Sequence, residues 1–354
     1  MKILQVCAYA APYEGNFIKS LKALGDALEE RGHEMLYAFP ETAFDIPWCQ
    51  ELSKLAKVYF LPLAKARIRP STYLALRKIY QENPTIRIVH SHFELYDVPV
   101  NLSFPKHVKI FWHLHDALEM YSDCKNRLIH KLQYGWFHSK TELLSVSQKN
   151  MDYVLKCGFP QKQAQYIPNG LDIERLQQIT TPNTERKYDF LMFGWEYERK
   201  GVDLCCQAVK KLNRGIRVAV VGTEQTEKKI HDQIGKFQNV EVISPQPDIN
   251  ALYCQTKCFL HISRAEGLSY ALLEAVYVGL PVVSSDIPEN LFAREFPTVR
   301  FVKNEDIDSI AEAMSEIMVS SEISKESVMK SRLLIEQKYS KSHWVEKVLD
   351  QYEL

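Results

Sequence analysis

The chain has 354 residues, 46% of them apolar and 25% charged, with 44 basic side chains balancing 44 acidic ones. That length favours two domains, each able to bury a full core, and the composition excludes disordered and fibrous classes. The balance of charge excludes a global field for nucleic acid.

The opening "MKILQVCAYA" is a broken apolar run followed by Pro12 and Glu14, so it predicts a first strand, neither a signal peptide nor a span. From there, short β-branched runs alternate with helical patterns: "KILQVCAY", a helix over 16–30, "MLYAF", "KVYFL", a helix over 73–80, "IRIVH", "VKIFW", a helix over 128–137, "ELLSV" and "AQYI". Near-continuous apolar strands in βαβ rhythm predict a parallel sheet covered on both faces. Between Lys54 and Lys131 thirteen basic residues face six acidic ones, interleaved with Tyr59, Phe60, Tyr73 and Tyr80. This stretch predicts either a solvated face of ordinary helices or a patch for an anionic membrane surface.

After "IPNGLD" a polar stretch over 180–186 breaks the rhythm and predicts a linker. The pattern then restarts with "YDFLMF", "IRVAVVG", "VEVISP", "CFLHIS" and "PVVSS", alternating with helices over 202–212, 228–234, 250–254 and 270–278. Two amphipathic helices, 307–318 and 342–354, follow. The expected architecture is α/β: two tandem doubly wound Rossmann-like domains, 1–181 and 182–339, with a final helix from 340 packing back on the first. Doubly wound sheets bind ligands beyond the carboxyl ends of their strands, so two of them predict an interdomain cleft. The eight cysteines form no CxxC pair and sit mostly in apolar patterns, as buried thiols of a reducing cytosol would.

The stretch "RAEGLSYALLEA" follows the strand "CFLHIS" and carries Glu266 and Glu274 eight positions apart. Ser269 is placed to cap the helix, and the amides of Gly267, Leu268 and Ser269 at its start suit a phosphate. From Ser269 to Glu274 the helix rises roughly 7 to 8 Å at about 1.5 Å per residue, the scale of a nucleotide. A diphosphate would lie at the helix start, a sugar beside Glu266 and a ribose diol beside Glu274. In "FGWEYERKGVDL", Arg199 and Lys200 come just after a strand and just before a helix, where a cation could answer charge growing on a leaving diphosphate. Asp306 and Asp308 open a late helix, where acids are expected for dipole reasons, so no metal site is predicted.

Taken in order, "IPNGLD" (167–172), "RKGVD" (199–203) and the Glu266–Glu274 pair resemble the retaining nucleotide-sugar glycosyltransferases of family 4, which have the GT-B fold. The resemblance covers nearly the whole chain. It implies that Glu266 touches donor sugar hydroxyls, Glu274 the ribose, and Lys200 with Arg199 the diphosphate, while Gly267 and Leu268 amides cover phosphate or sugar. His115 of "FWHLHDALE" matches the family's histidine near the reacting centre, and Gly15 is a candidate for close approach to donor or acceptor. Two departures stand out: Trp195 occupies the place of the family's phosphate-binding arginine, and "YAAPYEGNF" has only Gly15 where paired glycines are usual.

What the resemblance implies is a metal-independent hexosyltransferase without a cofactor. Its co-substrate is a nucleoside diphosphate sugar, with UDP the family's habit and GDP, ADP and dTDP open. The acceptor is a glycan or lipid-linked molecule in cell-surface polysaccharide or glycoconjugate synthesis. The basic stretch from Lys54 to Lys131, rather than the resemblance, is what would make peripheral contact with the inner face of the membrane, and the balanced charge predicts no nucleic acid as partner. Front-face departure and attack would retain the anomeric configuration. Two alternatives stay open: a non-catalytic nucleotide-sugar-binding subunit, favoured by Trp195, and a GT-B-fold UDP-sugar epimerase. A dehydrogenase is not expected, because no GxGxxG follows either first strand.

Overall fold

The computed structural model describes all residues except 119–123, 178–185, 213–214, 236–238, 247–248 and 320–322. The chain forms two compact units, Met1–Gly170 with Lys341–Leu354, and Leu171–Ser340. In the first unit, β1 (Lys2–Cys7), α1 (Gly15–Glu29), β2 (Glu34–Pro40), α2 (Pro47–Leu55), β3 (Val58–Leu61), α3 (Pro70–Glu82), β4 (Ile86–His92) and α4 (Asp97–Ser103) come first. They are followed by β5 (Lys109–Leu114), α5 (Cys124–Trp136), β6 (Thr141–Ser145), α6 (Gln148–Lys156) and β7 (Ala164–Tyr166). The seven strands make one parallel sheet in the order β3-β2-β1-β4-β5-β6-β7.

The second unit holds α7 (Ile173–Gln177), β8 (Tyr188–Phe193), α8 (Val202–Leu212), β9 (Val218–Val221), α9 (Glu224–Ile234), β10 (Val240–Ile243), α10 (Asn250–Cys254), β11 (Thr256–His261) and α11 (Tyr270–Val278). It continues through β12 (Val282–Ser285), β13 (Val299–Val302), α12 (Ile307–Val319) and α13 (Lys325–Lys338). Its six parallel strands run β10-β9-β8-β11-β12-β13. In both sheets the strand order reverses beside the unit's first strand, at β1/β4 and at β8/β11. That switch point is where a doubly wound sheet opens a crevice for a ligand.

The chain ends in α14 (Lys341–Tyr352), which belongs to the first unit. Its Trp344, Val345, Val348, Leu349 and Tyr352 share one apolar core with Phe17, Leu21 and Leu24 of α1, Trp48 of α2 and Phe111 of β5. A fully buried side chain of this size contributes about 1.5 to 3 kcal/mol, which is ample to hold a 12-residue helix. The other face of that sheet packs Leu76 and Ile79 of α3, Val100 of α4 and Val154 of α6 on Val6, Val89 and Trp112.

The boundary between units falls after Gly170 rather than at 181. Arg175 on α7 bonds Asn250 at 2.8 Å and Glu274 at 2.5 Å, which ties 171–177 to the second unit. Most of the polar stretch over 180–186 lies outside the described residues. Asp306 acts as a helix cap: its carboxylate accepts from the amides of Asp308 and Ser309 at 3.1 Å each. Among the described residues, all seven cysteines that can be assessed are free thiols, and five of them are buried.

Candidate active site

In the second unit the site is built from the loops after β8 and β11, one on each side of the switch point. The two loops are stitched together by their backbones, with Arg264 N–H donating to Arg199 C=O at 2.8 Å. Arg264 also forks onto Asp203 of α8 through two 2.7 Å bonds and reaches Glu305 at 2.6 Å. Gly201 turns the first loop into α8 with φ +71°, and a Cβ there would sit 2.2 Å from Ile262 C=O. Only glycine fits that approach, which presses Lys200 against the β11 loop.

Glu266 is the centre of this arrangement. Its Oε1 accepts from Lys200 Nζ at 2.7 Å and its Oε2 from Arg199 Nη1 at 3.2 Å, with Lys200 and Glu266 side chains only 9% and 7% exposed. Arg199 is also held by Glu196 at 2.5 and 2.6 Å and donates to Ala265 C=O at 3.0 Å. The loop turns Arg199 inward, so that both cations converge. They converge on a carboxylate, however, and an anionic ligand would have to exchange for it. Burial alone would raise the Glu266 pKa, but the charges of Lys200, His261 and Arg199 and the Lys200 hydrogen bond outweigh it and bring the value down to about 2. Because the folded pKa is depressed, the stabilisation is fully present above the ordinary carboxylate range and is lost as pH falls toward 2.

Trp195, 45% exposed, stacks on Phe193 with ring centroids 5.3 Å apart, and Lys200 Nζ lies 5.6 Å from its ring centroid. An aromatic face thus stands where the resemblance would put a guanidinium. Ser269 caps α11, its Oγ accepting from Leu272 N–H at 3.3 Å, and Gly267 and Leu268 lie in the turn just before it. One and a half turns along, buried Glu274 accepts from Arg175 Nη2 at 2.5 Å and Tyr253 Oη at 2.8 Å. Glu196, Arg175 and Tyr253 were not legible as site neighbours, since nothing local in the sequence marks their partners.

In the first unit, Gly15 opens α1 with φ +60°, and a Cβ there would approach Tyr9 Oη to 3.3 Å. Phe93 and Glu94, just after β4, both have positive φ (62° and 60°) without being glycine, which marks strained backbone at the switch point. Phe93, Phe17 and Tyr9 form an aromatic group, and His115 packs on it with its ring centroid 4.6 Å from Phe93 and 5.2 Å from Phe17. His115 is 8% exposed, with Nδ1 3.0 Å from Asn169 Oδ1 and Nε2 3.0 Å from His92 Nδ1.

His90, His92 and His113 bring nitrogens within 4.8 Å of one another. As a metal site this set is poor. Both His92 nitrogens are already engaged, by Gln5 and His115, and the rings stack at interplanar angles of 4° to 29°, which keeps their lone pairs from converging on one point.

Comparison with known proteins bears on the family and the fold. The family model for glycosyl transferases group 1 matches residues 187–320, and that for glycosyltransferase family 4 matches residues 19–175. The chain is 23% identical over 283 residues to the uncharacterized glycosyltransferase MJ1059 of Methanocaldococcus jannaschii, covering 72% of this chain and 70% of that one. It is 29% identical over 132 residues to the lipopolysaccharide glucosyltransferase WaaG of Escherichia coli K12, covering 36% and 34%. Among solved structures, Anabaena HepE in complex with UDP and glucose superposes with a TM-score of 0.79 at 16% identity, over 100% of this chain and 99% of that one. With two family models spanning most of its length and the doubly wound units just described, the chain belongs to the group 1, family 4 glycosyltransferases of GT-B fold.

Proposed function

We propose that the chain is a retaining glycosyltransferase that takes a hexosyl group from a nucleoside diphosphate sugar, UDP being the first nucleotide to test, and passes it to a glycan or lipid-linked acceptor. The observation that carries this reading is the meeting of Lys200, Arg199 and Glu266 beside the capped start of α11. Donor binding exchanges partners: Lys200 and Arg199 move from Glu266 to the diphosphate, and Glu266, released, accepts hydrogen bonds from sugar hydroxyls. The bond from the anomeric carbon to the diphosphate oxygen breaks, and the acceptor oxygen bonds to that carbon from the same face. The acceptor proton goes to the departing phosphate, whose growing charge Lys200 answers. The charges of Lys200 and Arg199 and the dipole of α11 do this work without a metal ion. Trp195 and the carboxylate-balanced cations favour a second reading, a subunit that binds the nucleotide sugar without turnover.

A thermal-shift screen with UDP, GDP, ADP and dTDP sugars tests binding, since a ligand at a hundred times its Kd adds about 2.7 kcal/mol. Nucleoside diphosphate released only when acceptor is present supports transfer. Binding without release supports the second reading, and no shift with any nucleotide defeats both.

We further propose that the first unit works against an anionic membrane surface. No helix of the described residues is long and apolar enough to cross one. Tyr59, Phe60, Tyr73 and Tyr80 of the basic stretch are half-buried, so they do not make a surface patch. Its last part does. On α5, Leu128, Leu132 and Trp136 are 61%, 44% and 79% exposed and recur every four residues, with Arg127 and Lys131 exposed between them. From Cys124 to Thr141 there is no acidic residue. Basic and apolar side chains alternating on one exposed face suit an anionic bilayer interface. The chain should therefore co-sediment with phosphatidylglycerol vesicles and not with phosphatidylcholine ones, release in high salt, and bind less as Trp136→Ala or Lys131→Glu. Sedimentation that is absent or insensitive to salt would remove the membrane from this proposal.

A further inference from the structure

His261 closes β11, just before the loop that carries Glu266, and one of its nitrogens is left over. Leu260 and Ile262 join the core with α8 and α12, so by strand alternation His261 turns to the other face, where its ring stacks on Phe259 with centroids 6.2 Å apart. The imidazole is buried, and its Nε2 has no hydrogen-bond partner. Such a group is rare in a folded chain, because a nitrogen taken out of water without a partner loses its hydration and gains nothing. An apolar side chain would fill the end of the strand without that cost.

The atom that Nε2 faces belongs to Glu266. It lies 3.9 Å from Oε1, the same oxygen that accepts from Lys200 Nζ at 2.7 Å. At that distance there is no hydrogen bond, and a move of about 1 Å would make one. Lys200 occupies the oxygen, and His261 faces it at longer range. The ring stays neutral while the lysine is there: burial holds its pKa down to about 4, with Glu266 and Asn290 raising it and Lys200 lowering it. A neutral imidazole with its proton on Nε2 still donates, and the carboxylate in front of it favours that tautomer, since a lone pair there would meet another lone pair.

We propose that His261 is a positioning residue for Glu266: when Lys200 leaves Oε1, His261 Nε2–H takes that oxygen and keeps the buried carboxylate bonded and oriented. That donor binding is what draws Lys200 away rests on the proposed transferase reading, whereas the takeover itself does not. The need for it follows from burial. Glu266 is nearly shut off from water, and withdrawing one partner from a buried pair is strongly destabilising because it leaves an uncompensated charge. Moving Lys200 and Arg199 from the carboxylate to a diphosphate would impose that cost at the moment of binding. A second donor already facing Oε1 offsets it and leaves Oε2 to meet sugar hydroxyls.

Two measurements on the full chain test this, and the first needs no ligand. His261→Phe keeps a ring beside Phe259 and removes the unpartnered nitrogen, so with Lys200 in place it should leave the melting temperature unchanged or raise it. In a Lys200→Met chain, where the histidine has become the partner of Oε1, the same substitution should lower it by roughly 2 to 4 °C, the shift for one lost hydrogen bond in a domain of about this size. His261→Gln, which keeps a donor, should lower it less. Equal effects of His261→Phe in both backgrounds would overturn the inference. The second measurement keeps Lys200 and decides alone if Lys200→Met does not melt cooperatively. In calorimetric titration with UDP, GDP, ADP and dTDP sugars, His261→Phe should weaken whichever binds the wild type by about tenfold or more, and His261→Gln should recover most of that loss. Wild-type affinity in His261→Phe would overturn the inference and leave the transferase reading intact. If the melting effects differ between backgrounds but no nucleotide sugar binds the wild type, the takeover stands and the transferase reading falls.

Discussion

Lys200→Ala slows acceptor-dependent sugar transfer by about 100-fold or more, the usual cost of removing one group that stabilises charge developing in the transition state. Ground-state affinity for the nucleotide falls much less. Lys200 Nζ is held 2.7 Å from Glu266 by a side chain only 9% exposed, so its charge acts where water screens poorly. On a leaving diphosphate that charge is answered more strongly as the bond breaks, which places the loss in kcat rather than in binding. The fold tolerates the change, because Arg199 remains on the other oxygen of Glu266 and no carboxylate is left wholly unpaired. Arg199→Ala shows a smaller loss of the same kind, since this guanidinium is shared with exposed Glu196 and leaves Lys200 in place. Steady-state rates with a fixed acceptor decide the matter. Turnover of Lys200→Ala within about threefold of the wild type, a difference of about 0.65 kcal/mol, would mean that the diphosphate is not bound there.

How far the sequence carried depended on whether a feature is local. Strand runs such as "YDFLMF" and "CFLHIS" are buried on both faces and stood out by apolar content alone. The capped start of α11 was legible for the same reason, as Ser269 and the periodic residues after it are neighbours in the chain. By contrast, α2 begins with Pro47, which suggests a break when read alone but suits the first turn of a helix. In α13 only Ser331 and Ile335 are buried, so there was no apolar stripe to read, and β13 is a four-residue strand left partly open at the edge of its sheet. The site divides in the same way. Glu266, Lys200 and Arg199 were found through motif spacing, but their mutual neutralisation was not, because it depends on how the β8 and β11 loops meet 66 and 67 residues apart. The buried bond from Gln5 to Tyr352 lay further out of reach, since it spans 347 residues and only the tertiary fold reveals it.

Glu274→Ala should produce two losses that can be measured apart. Buried Glu274 accepts from Arg175 and from Tyr253, so its removal strands a buried phenol and half of the bonding of a guanidinium. Breaking a buried ion pair typically costs about 3 to 5 kcal/mol, and the cost here should lie toward the lower end because Arg175 keeps Asn250 at 2.8 Å. Tyr253→Phe removes one hydroxyl bond and leaves the ion pair, so it should cost only about 1 kcal/mol of stability. The second loss is specific to a bound nucleotide. If a ribose diol shares the Glu274 carboxylate, the charge-assisted bonds it loses are worth about 1.5 to 3 kcal/mol, or at least tenfold in affinity. Tyr253→Phe should leave that affinity nearly unchanged, since the carboxylate that meets the diol is still present and still held by Arg175. Calorimetric titration with nucleoside diphosphates, at a temperature where both variants are fully folded, separates the two roles. A Glu274→Ala protein that melts earlier but binds every nucleotide as the wild type does would make Glu274 the anchor of α7 and α10 on α11, and the ribose would have to be held elsewhere.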